Sequence, residues 1–258
     1  MLNTILVSAW IIVITLVCAI SAILISFVTR GGDSAHLIGR FWARSILWVS
    51  RAKVFVEGMD HIDPGAACVY MANHQSMFDI LALLGHLPVQ FRWVAKKELF
   101  RIPIFGYSMS RVGYISIDRS NRQSAIHSLR EAAHKIAQGV SVVVFPEGTR
   151  SSDGRIKSFK KGGFYLATDS GRPIVPVVIW GTRHVMPKGK LSIRPGPIVL
   201  SINKPIDTVP YRKNRNTLIQ LVGATMKGDL ERIRAKREER FNRGNGGNSQ
   251  DMREVNGA

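Results

Sequence analysis

The chain has 258 residues, enough for one domain of good size together with a membrane anchor. Lysine and arginine number 36 against 18 aspartates and glutamates, so the net charge is +18. This excess predicts an anionic partner, such as nucleic acid, an anionic lipid surface or a phosphorylated substrate. The two cysteines, Cys18 and Cys68, fall in an apolar N-terminal run and in a predicted buried strand. The sequence therefore predicts neither a disulfide framework nor a zinc site.

The N-terminus is an apolar run with no charged residue between positions 2 and 29. It exceeds the roughly 20 residues that a helix needs to cross a bilayer. A signal peptide carries basic residues before its apolar segment, whereas here the first basic residue is Arg30. We therefore predict a retained transmembrane or membrane-embedded helix over residues 1–30. The basic residues that follow it predict that the body of the protein lies in the cytoplasm.

Residues 31–52 are predicted to form a basic amphipathic helix. Apolar residues recur at three- and four-residue spacing from Leu37 to Trp48, and arginines lie between them. This pattern is typical of a helix at a membrane surface with tryptophan at headgroup level. We therefore predict an interfacial helix here. The alternative is an ordinary helix that faces a protein core.

Short apolar strands alternate with helices beyond this segment, which predicts an α/β fold with a mixed central sheet flanked by helices. The predicted strands are 53–58, 67–72, 91–95, 113–119, 141–145, 174–180 and two short strands within 190–202. Pro176 predicts an edge or bulge position for its strand. A helix over residues 214–240 completes a domain of residues 53–243. The Gly- and Asn-rich tail, 244–258, is predicted to be disordered.

The loop after the strand 67–72 carries the first candidate site. His74 lies in the turn, Ser76 is a natural N-cap for the next helix, and Asp79 falls in its first turn. The Asp79 carboxylate can accept the imidazole Nδ1–H, which leaves Nε2 free to act as a base toward a hydroxyl. The alternative is that Asp79 only caps the helix and that His74 is an ordinary turn residue.

Two later strand ends also carry unusual polar residues, and sites in α/β sheets gather beyond strand ends. Arg119 follows one strand, and the next is followed by Glu147, Gly148, Thr149 and Arg150. Arginine binds phosphate through its planar fork, Gly148 permits close backbone approach, and Glu147 can accept a hydrogen bond from a substrate hydroxyl. The alternative for the two arginines is a surface ion pair. No G-x-S-x-G elbow occurs, so the sequence favours direct attack by a substrate alcohol over a covalent acyl-enzyme.

These motifs, in this order and spacing, resemble those of the glycerolipid acyltransferase family. The resemblance covers about residues 50–205 and four motifs, at 73–79, 113–119, 145–151 and 174–177. It is strongest to the branch, bacterial in style, that acylates 1-acyl-sn-glycerol-3-phosphate. Ser116 departs from the pattern, since the second motif more often has a bulky apolar residue there.

The resemblance implies that His74 is the general base, that Asp79 orients it, and that acceptor binding falls to Arg119, Glu147, Gly148, Thr149 and Arg150. It implies transfer of an acyl group from acyl-CoA or acyl-carrier protein to lysophosphatidic acid, giving phosphatidic acid for phospholipid biosynthesis. No metal or redox cofactor is implied. Anionic membrane lipid is a further expected partner, and the expected location is the cell inner membrane with the catalytic domain facing the cytoplasm.

Two alternatives remain open at this point. One is an acyltransferase for another lysolipid acceptor. The other is a membrane-tethered basic protein that binds nucleic acid. The sequence contains no nucleic-acid-binding motif, and much of its charge lies near the bilayer or the C-terminus, so we expect no nucleic-acid partner.

Overall fold

The computed structural model describes residues 2–29, 31–118 and 122–250. The helices in these residues are α1 (Leu2–Val28), α2 (Asp33–Val49), α3 (Phe78–His86), α4 (Phe105–Arg111), α5 (Arg122–Ala137), α6 (Gly162–Ser170), α7 (Thr182–Val185) and α8 (Arg215–Gln250). The strands are β1 (Ala52–Glu57), β2 (Val69–Ala72), β3 (Phe91–Lys96), β4 (Ile115–Ile117), β5 (Ser141–Val144), β6 (Ile174–Trp180) and β7 (Gly196–Ile202). Short 3-10 helices lie at Met59–His61, Lys97–Arg101 and Val209–Tyr211.

The strands of the described residues form one mixed sheet in the order β1-β7-β6-β2-β5-β3-β4. Five neighbouring strands run parallel: β6, β2, β5, β3 and β4. Their carboxyl ends lie along one edge, called here the site edge. β7 runs antiparallel to β6 and parallel to β1. The amino ends of β1 and β7 therefore reach the same edge. The predicted α/β fold with a mixed central sheet is confirmed.

Helices cover both faces of the sheet. On one face α2 and α3 pack on the strands, and Leu47 and Leu83 share an apolar core with Tyr70. On the other face α5, α6 and α8 form a second core that contains Phe164 and Met226. The central strands β2 and β5 are buried along their whole length, as expected for parallel strands covered on both sides.

β6 is an interior strand, so the predicted edge or bulge position of Pro176 is wrong. The Pro176 carbonyl accepts the Asn203 N–H at 2.9 Å, on the β7 side and just beyond the end of β7. The N–H and C=O of one strand residue point to the same neighbouring strand. The N–H that Pro176 lacks would therefore also point toward β7, at a position where β7 has already ended. Proline therefore costs this interior strand no ladder hydrogen bond.

Two other boundaries differ from those predicted. Residues 190–202 contain one strand, β7, because residues 190–195 form a loop in which the Arg194 N–H donates to the Val185 carbonyl at 2.9 Å. α8 continues to Gln250, past its predicted end at residue 240 and into the tail predicted to be disordered. The remainder of that tail, 251–258, lies outside the described residues.

α1 and α2 form a helical hairpin beside the sheet. The indole N–H of Trp10 donates to the Ser45 hydroxyl at 2.8 Å, and that of Trp42 donates to the Thr15 hydroxyl at 2.9 Å. Such bonds hold helices together in an apolar medium. Within the described residues α1 is the one helix long and apolar enough to cross a membrane.

The second helix of the hairpin carries apolar side chains on both of its faces. α2 packs one face into the core, where Ala43, Ile46 and Leu47 are buried. Its other face carries Phe41 and Trp48, which are 62% and 80% exposed. The helix therefore packs against the core and also leaves apolar side chains uncovered, and its position at a membrane surface stays a prediction. Together with the outer face of α1, this exposed apolar surface indicates membrane association.

Candidate active site

His74 and Asp79 meet at the carboxyl end of β2. The imidazole Nδ1 lies 2.8 Å from Asp79 Oδ2, the contact that the spacing predicts. The ring stacks on Phe145, with centroids 4.0 Å apart and planes inclined by 13°. The His74 side chain remains 14% exposed, and Nε2 has no hydrogen-bond partner in the described part of the chain. This geometry leaves one imidazole nitrogen available to a substrate.

The Asp79 carboxylate is fully buried and accepts hydrogen bonds at both oxygens. Besides His74, Oδ2 accepts the N–H groups of Gln75 at 2.6 Å and Ser76 at 2.8 Å. Oδ1 accepts the hydroxyl of Thr182 at 2.5 Å. Four donors compensate for the removal of this charge from water and fix the carboxylate plane. The imidazole therefore has a rigid partner.

Asp79 also ties down the start of α3, although the helix begins one residue later than Ser76 as N-cap predicts. The first helical residue is Phe78 and the N-cap is Met77, one residue later than Ser76. The Ser76 hydroxyl accepts the Phe78 N–H at 3.2 Å and donates to the Met186 carbonyl at 2.7 Å. Because Asp79 accepts the Ser76 N–H, the residue both ties down the helix start and contacts His74. The two sequence-based interpretations of Asp79 are thus compatible.

Two amides that the sequence analysis missed hold the His74 loop against β6. The Asn73 side chain accepts the Ile179 N–H at 2.7 Å and donates to the Ile179 carbonyl at 2.9 Å. Gln75 donates to the same carbonyl at 2.9 Å. Both amides are buried, so the loop on either side of His74 is pinned to the neighbouring strand. The sequence signal for this contact was the presence of an amide side chain on each side of a histidine in a loop.

Thr182 was also missed, and the fold brings it to Asp79 from 103 residues away. It begins α7 directly after Gly181, which has φ +94. A Cβ at Gly181 would collide with the Pro197 carbonyl oxygen, so this tight turn requires glycine. The Gly-Thr pair after a strand end was a weak sequence signal for a hydroxyl at the site edge.

Glu147 contacts His74 through the backbone instead of facing outward. Its Oε1 accepts the His74 N–H at 2.8 Å and its Oε2 accepts the Lys157 N–H at 3.0 Å. The residue is 3% exposed. Burial raises the pKa of Glu147, and the two backbone donors offset part of that rise. Each oxygen thus accepts one backbone N–H, and the predicted hydrogen bond with a substrate hydroxyl stays a prediction, since a carboxylate can accept about four.

The loop after Glu147 lies directly against the His74 turn, because the Ser151 N–H donates to the His74 carbonyl at 2.7 Å. Gly148 has φ +72, which glycine adopts without strain. Thr149 is exposed and Arg150 is half-buried, and within the described residues the Arg150 guanidinium has no carboxylate partner.

The predicted site residues that the structure describes are therefore brought together. His74, Asp79, Glu147, Gly148, Thr149 and Arg150 share the site edge. Arg119 lies outside the described residues. Its neighbour Asp118 ends β4 at the same edge and pairs with Lys97 at 3.1 Å.

The sequence profile of a family described as acyltransferase matches residues 53–180, the segment from β1 to β6 that carries these loops. The chain is 38% identical over 173 residues to the chloroplastic 1-acyl-sn-glycerol-3-phosphate acyltransferase BAT2 of Brassica napus, covering 66% of this chain and 50% of that relative. It is 33% identical over 181 residues to the human 1-acyl-sn-glycerol-3-phosphate acyltransferase alpha, covering 69% and 64%. The chain thus spans from half to just under two thirds of these curated relatives.

A solved structure resembles the chain over nearly its whole length. The crystal structure of the 1-acyl-sn-glycerophosphate (LPA) acyltransferase PlsC from Thermotoga maritima is similar with a TM-score of 0.79 and 31% sequence identity. The similarity covers 91% of this chain and 95% of that chain. It therefore extends beyond the segment that the family profile matches.

Proposed function

This chain belongs to the acyltransferase family, and on that premise we propose that it acylates the free sn-2 hydroxyl of 1-acyl-sn-glycerol-3-phosphate to form phosphatidic acid. The observation that carries the proposal is the 2.8 Å contact between His74 Nδ1 and Asp79 Oδ2 at the end of β2. A partly exposed imidazole whose other nitrogen is unoccupied is the group needed to remove a proton from an alcohol. The family members compared above supply the substrate class.

In the proposed mechanism His74 Nε2 takes the proton of the acceptor hydroxyl while the hydroxyl oxygen attacks the thioester carbonyl carbon. The tetrahedral intermediate then expels the thiolate, and the imidazolium returns the proton to that sulfur. The products are an ester and a free thiol, and no bond to the protein forms. Asp79 stabilises the imidazolium and fixes its ring, since the carboxylate is itself held by Thr182 and two backbone N–H groups.

The acceptor phosphate is assigned to Arg150 and Arg119. Support for Arg150 comes from its loop, which contacts the His74 turn through Ser151. Its guanidinium is half-buried and free of a carboxylate partner in the described part of the chain. Gly148 and Thr149 keep the role the resemblance implies, lining the acceptor site. Glu147 positions the His74 backbone through Oε1, and its remaining lone pairs keep the assigned hydrogen bond to the acceptor.

We further propose that residues 1–30 anchor the protein in the cell inner membrane and that residues 31–52 lie at its surface. The catalytic domain, residues 53–243, then faces the cytoplasm, where both donors occur. Support comes from the apolar outer face of α1, which includes Ile12 at 70% and Leu24 at 61% exposure. The net charge of +18 favours contact with anionic lipid on the cytoplasmic side.

The test is acyl transfer by the purified full chain in detergent or lipid. The protein is supplied with lysophosphatidic acid or another lysolipid, and with acyl-CoA or acyl-carrier protein, and products are identified by mass. We expect phosphatidic acid from lysophosphatidic acid and none from the His74→Ala variant, which should still fold and fractionate with membranes. A product formed only from another lysolipid, or unchanged turnover by His74→Ala, would refute the proposal.

A further inference from the structure

A cavity that the proposed mechanism does not use opens at the site edge, where β1 and β7 begin. It is an open cavity of about 330 Å³, at the lower end of the range of small-molecule sites. Its walls combine three cations with an apolar surface: Arg51, Lys53, Arg237, Phe55 and residues 195–197. Such a lining suits a ligand that is both aromatic and strongly anionic.

The cations around this cavity are not neutralised by the protein. In the described residues none of the three forms an ion pair, and the nearby carboxylate of Glu57 is held by Arg232 at 2.9 Å and Lys236 at 3.0 Å. The Arg237 guanidinium instead lies 5.3 Å from the Phe55 ring and 5.5 Å from the Trp180 ring. Phe55 is 48% exposed despite this contact. An open aromatic ring beside an unpaired guanidinium can stack a planar base and bind its phosphate.

A strip of positive charge connects the cavity with His74. Arg183 donates to the Ser152 carbonyl at 3.2 Å, Arg234 to the Gly154 carbonyl at 2.8 Å, and Lys188 to the Arg150 carbonyl at 2.8 Å. These three cations have backbone partners and, among the described residues, no carboxylate partner. They therefore add positive charge around the loop 150–154, which contacts the His74 turn and carries one carboxylate, that of Asp153.

We propose that the cavity binds the 3′-phosphorylated adenosine diphosphate end of a CoA thioester and that the strip accommodates its phosphates. The inference rests on the proposed function and names which part of the donor is recognised, and where. The adenine ring lies against Phe55, and the phosphates contact Arg51, Lys53 and Arg237. The pantetheine arm then runs along the site edge to His74.

The dimensions agree with this arrangement. β1 and β2 are three strand positions apart in the sheet, which corresponds to about 14 Å at a strand spacing of about 4.8 Å. The pantetheine arm is comparable to an extended peptide of about four to five residues, roughly 15 Å. A nucleotide in the cavity therefore places the thioester near His74 Nε2.

The observations favour a nucleotide over the other anionic ligands of this enzyme class. An acyl-carrier protein presents a wide acidic surface and no purine, so it needs neither a cavity nor an aromatic wall. A lipid headgroup has phosphate but no planar ring to contact Phe55. The cavity combines a half-exposed aromatic ring with three cations that have no carboxylate partner among the described residues, and of the three ligands the nucleotide offers both a planar ring and phosphates.

The first experiment measures direct binding, so it does not depend on turnover. Adenosine 3′,5′-bisphosphate is titrated by calorimetry into the purified full chain, the Arg237→Gln variant and the Lys227→Gln variant. Lys227 is exposed on the same helix, α8, and lies outside the cavity, so it controls for the loss of one charge. We expect Arg237→Gln to weaken binding about tenfold, the effect of losing one charged contact. No binding by the parent chain, or equal affinity in all three proteins, would overturn the inference.

The second experiment measures KM for three donors that carry the same acyl chain: acyl-CoA, acyl-pantetheine and acyl-carrier protein. Arg237→Gln should raise KM about tenfold for acyl-CoA only and leave the KM for lysophosphatidic acid unchanged. Equal effects on acyl-CoA and acyl-carrier protein would overturn the nucleotide assignment. If turnover is normal and does not depend on Arg237, the nucleotide site is refuted and the proposed function is retained. If the protein binds the nucleotide through Arg237 but has no transferase activity, the proposed function is refuted and the nucleotide site is retained.

Discussion

Replacing Asp79 by asparagine tests the imidazole–carboxylate pair without changing the size of the side chain. The asparagine oxygen can take the place of Oδ2 and accept from His74, Gln75 and Ser76, the donors that lie at 2.6 to 2.8 Å. The asparagine N–H₂ then faces the Thr182 hydroxyl, which can rotate and accept. The hydrogen-bond framework survives, and the main change is the loss of one buried negative charge.

The magnitude follows from that charge. When His74 has taken the substrate proton, the imidazolium lies beside the carboxylate, with Nδ1 and Oδ2 2.8 Å apart. Opposite charges about 4 Å apart interact by about 4 kcal/mol at an effective dielectric constant of 20. Since about 1.4 kcal/mol corresponds to a factor of ten in rate, and Thr182 and the backbone donors already neutralise part of the charge, we expect kcat to fall by about 10² to 10³. KM for either substrate should change little.

The assay follows release of the CoA thiol with a thiol-reactive dye, alongside thermal unfolding by circular dichroism. Asp169→Asn is the matched control, because Asp169 is a half-exposed carboxylate paired with Arg215 away from the site edge. The control should keep its kcat, and both variants should remain folded. A folded Asp79→Asn protein with kcat within about threefold of the parent, which is less than 1 kcal/mol, would refute the role given to this carboxylate.

Three further outcomes are expected. Thr182→Val should lower kcat about tenfold through loss of the hydroxyl that holds Asp79, and Thr182→Ser should restore it; equal kcat in the valine and serine variants would contradict this. Arg150→Gln should raise KM for lysophosphatidic acid at least tenfold and leave that for the thioester unchanged, and the opposite pattern in steady-state kinetics would exclude phosphate recognition. Burial, and then the charges of Arg92 and Arg40, lower the pKa of His36 from 6.5 to about 3. The unfolded chain therefore binds a proton that the folded one excludes, so this contribution to stability is complete above pH 6.5 and is lost by about 1.4 kcal/mol per pH unit as the pH falls toward 3. Urea unfolding at pH 5 and pH 7 should show a smaller pH dependence for His36→Phe than for the parent, and identical pH dependence would refute it.

The His74–Asp79 contact could be predicted because it is local. The two residues are five positions apart across one turn, and short spacing alone brings the side chains together. The partners that fix this pair could not be predicted in the same way. Thr182 reaches Asp79 from 103 residues away, and Ile179 binds the Asn73 amide from 106 residues away. Their contacts depend on β6 lying beside β2, and strand order is set by the packing of the whole sheet.

The interpretations of Pro176 and Glu147 have one feature in common. Each rested on the usual behaviour of a residue type, whereas the outcome depended on one neighbour distant in sequence. Pro176 is tolerated in an interior strand because β7 ends beside it. Glu147 looked free to contact substrate, but the His74 N–H approaches it from a different strand end. Local chemistry identified both positions as unusual, and only the sheet order decided what they contact.

The antiparallel strand β7 explains how one edge can serve two substrates of different character. Because β7 runs against β6, β1 starts at the site edge and α2 ends there, only a few residues before Ala52. The amino end of α1 reaches the same region, where the Thr4 hydroxyl accepts the Ile193 N–H at 3.3 Å. The α1–α2 hairpin and the basic cavity are therefore both joined to the edge that carries His74. Under the proposed function, a lipid acceptor held beside the hairpin and a thioester held in the cavity would reach the same imidazole from different parts of this edge.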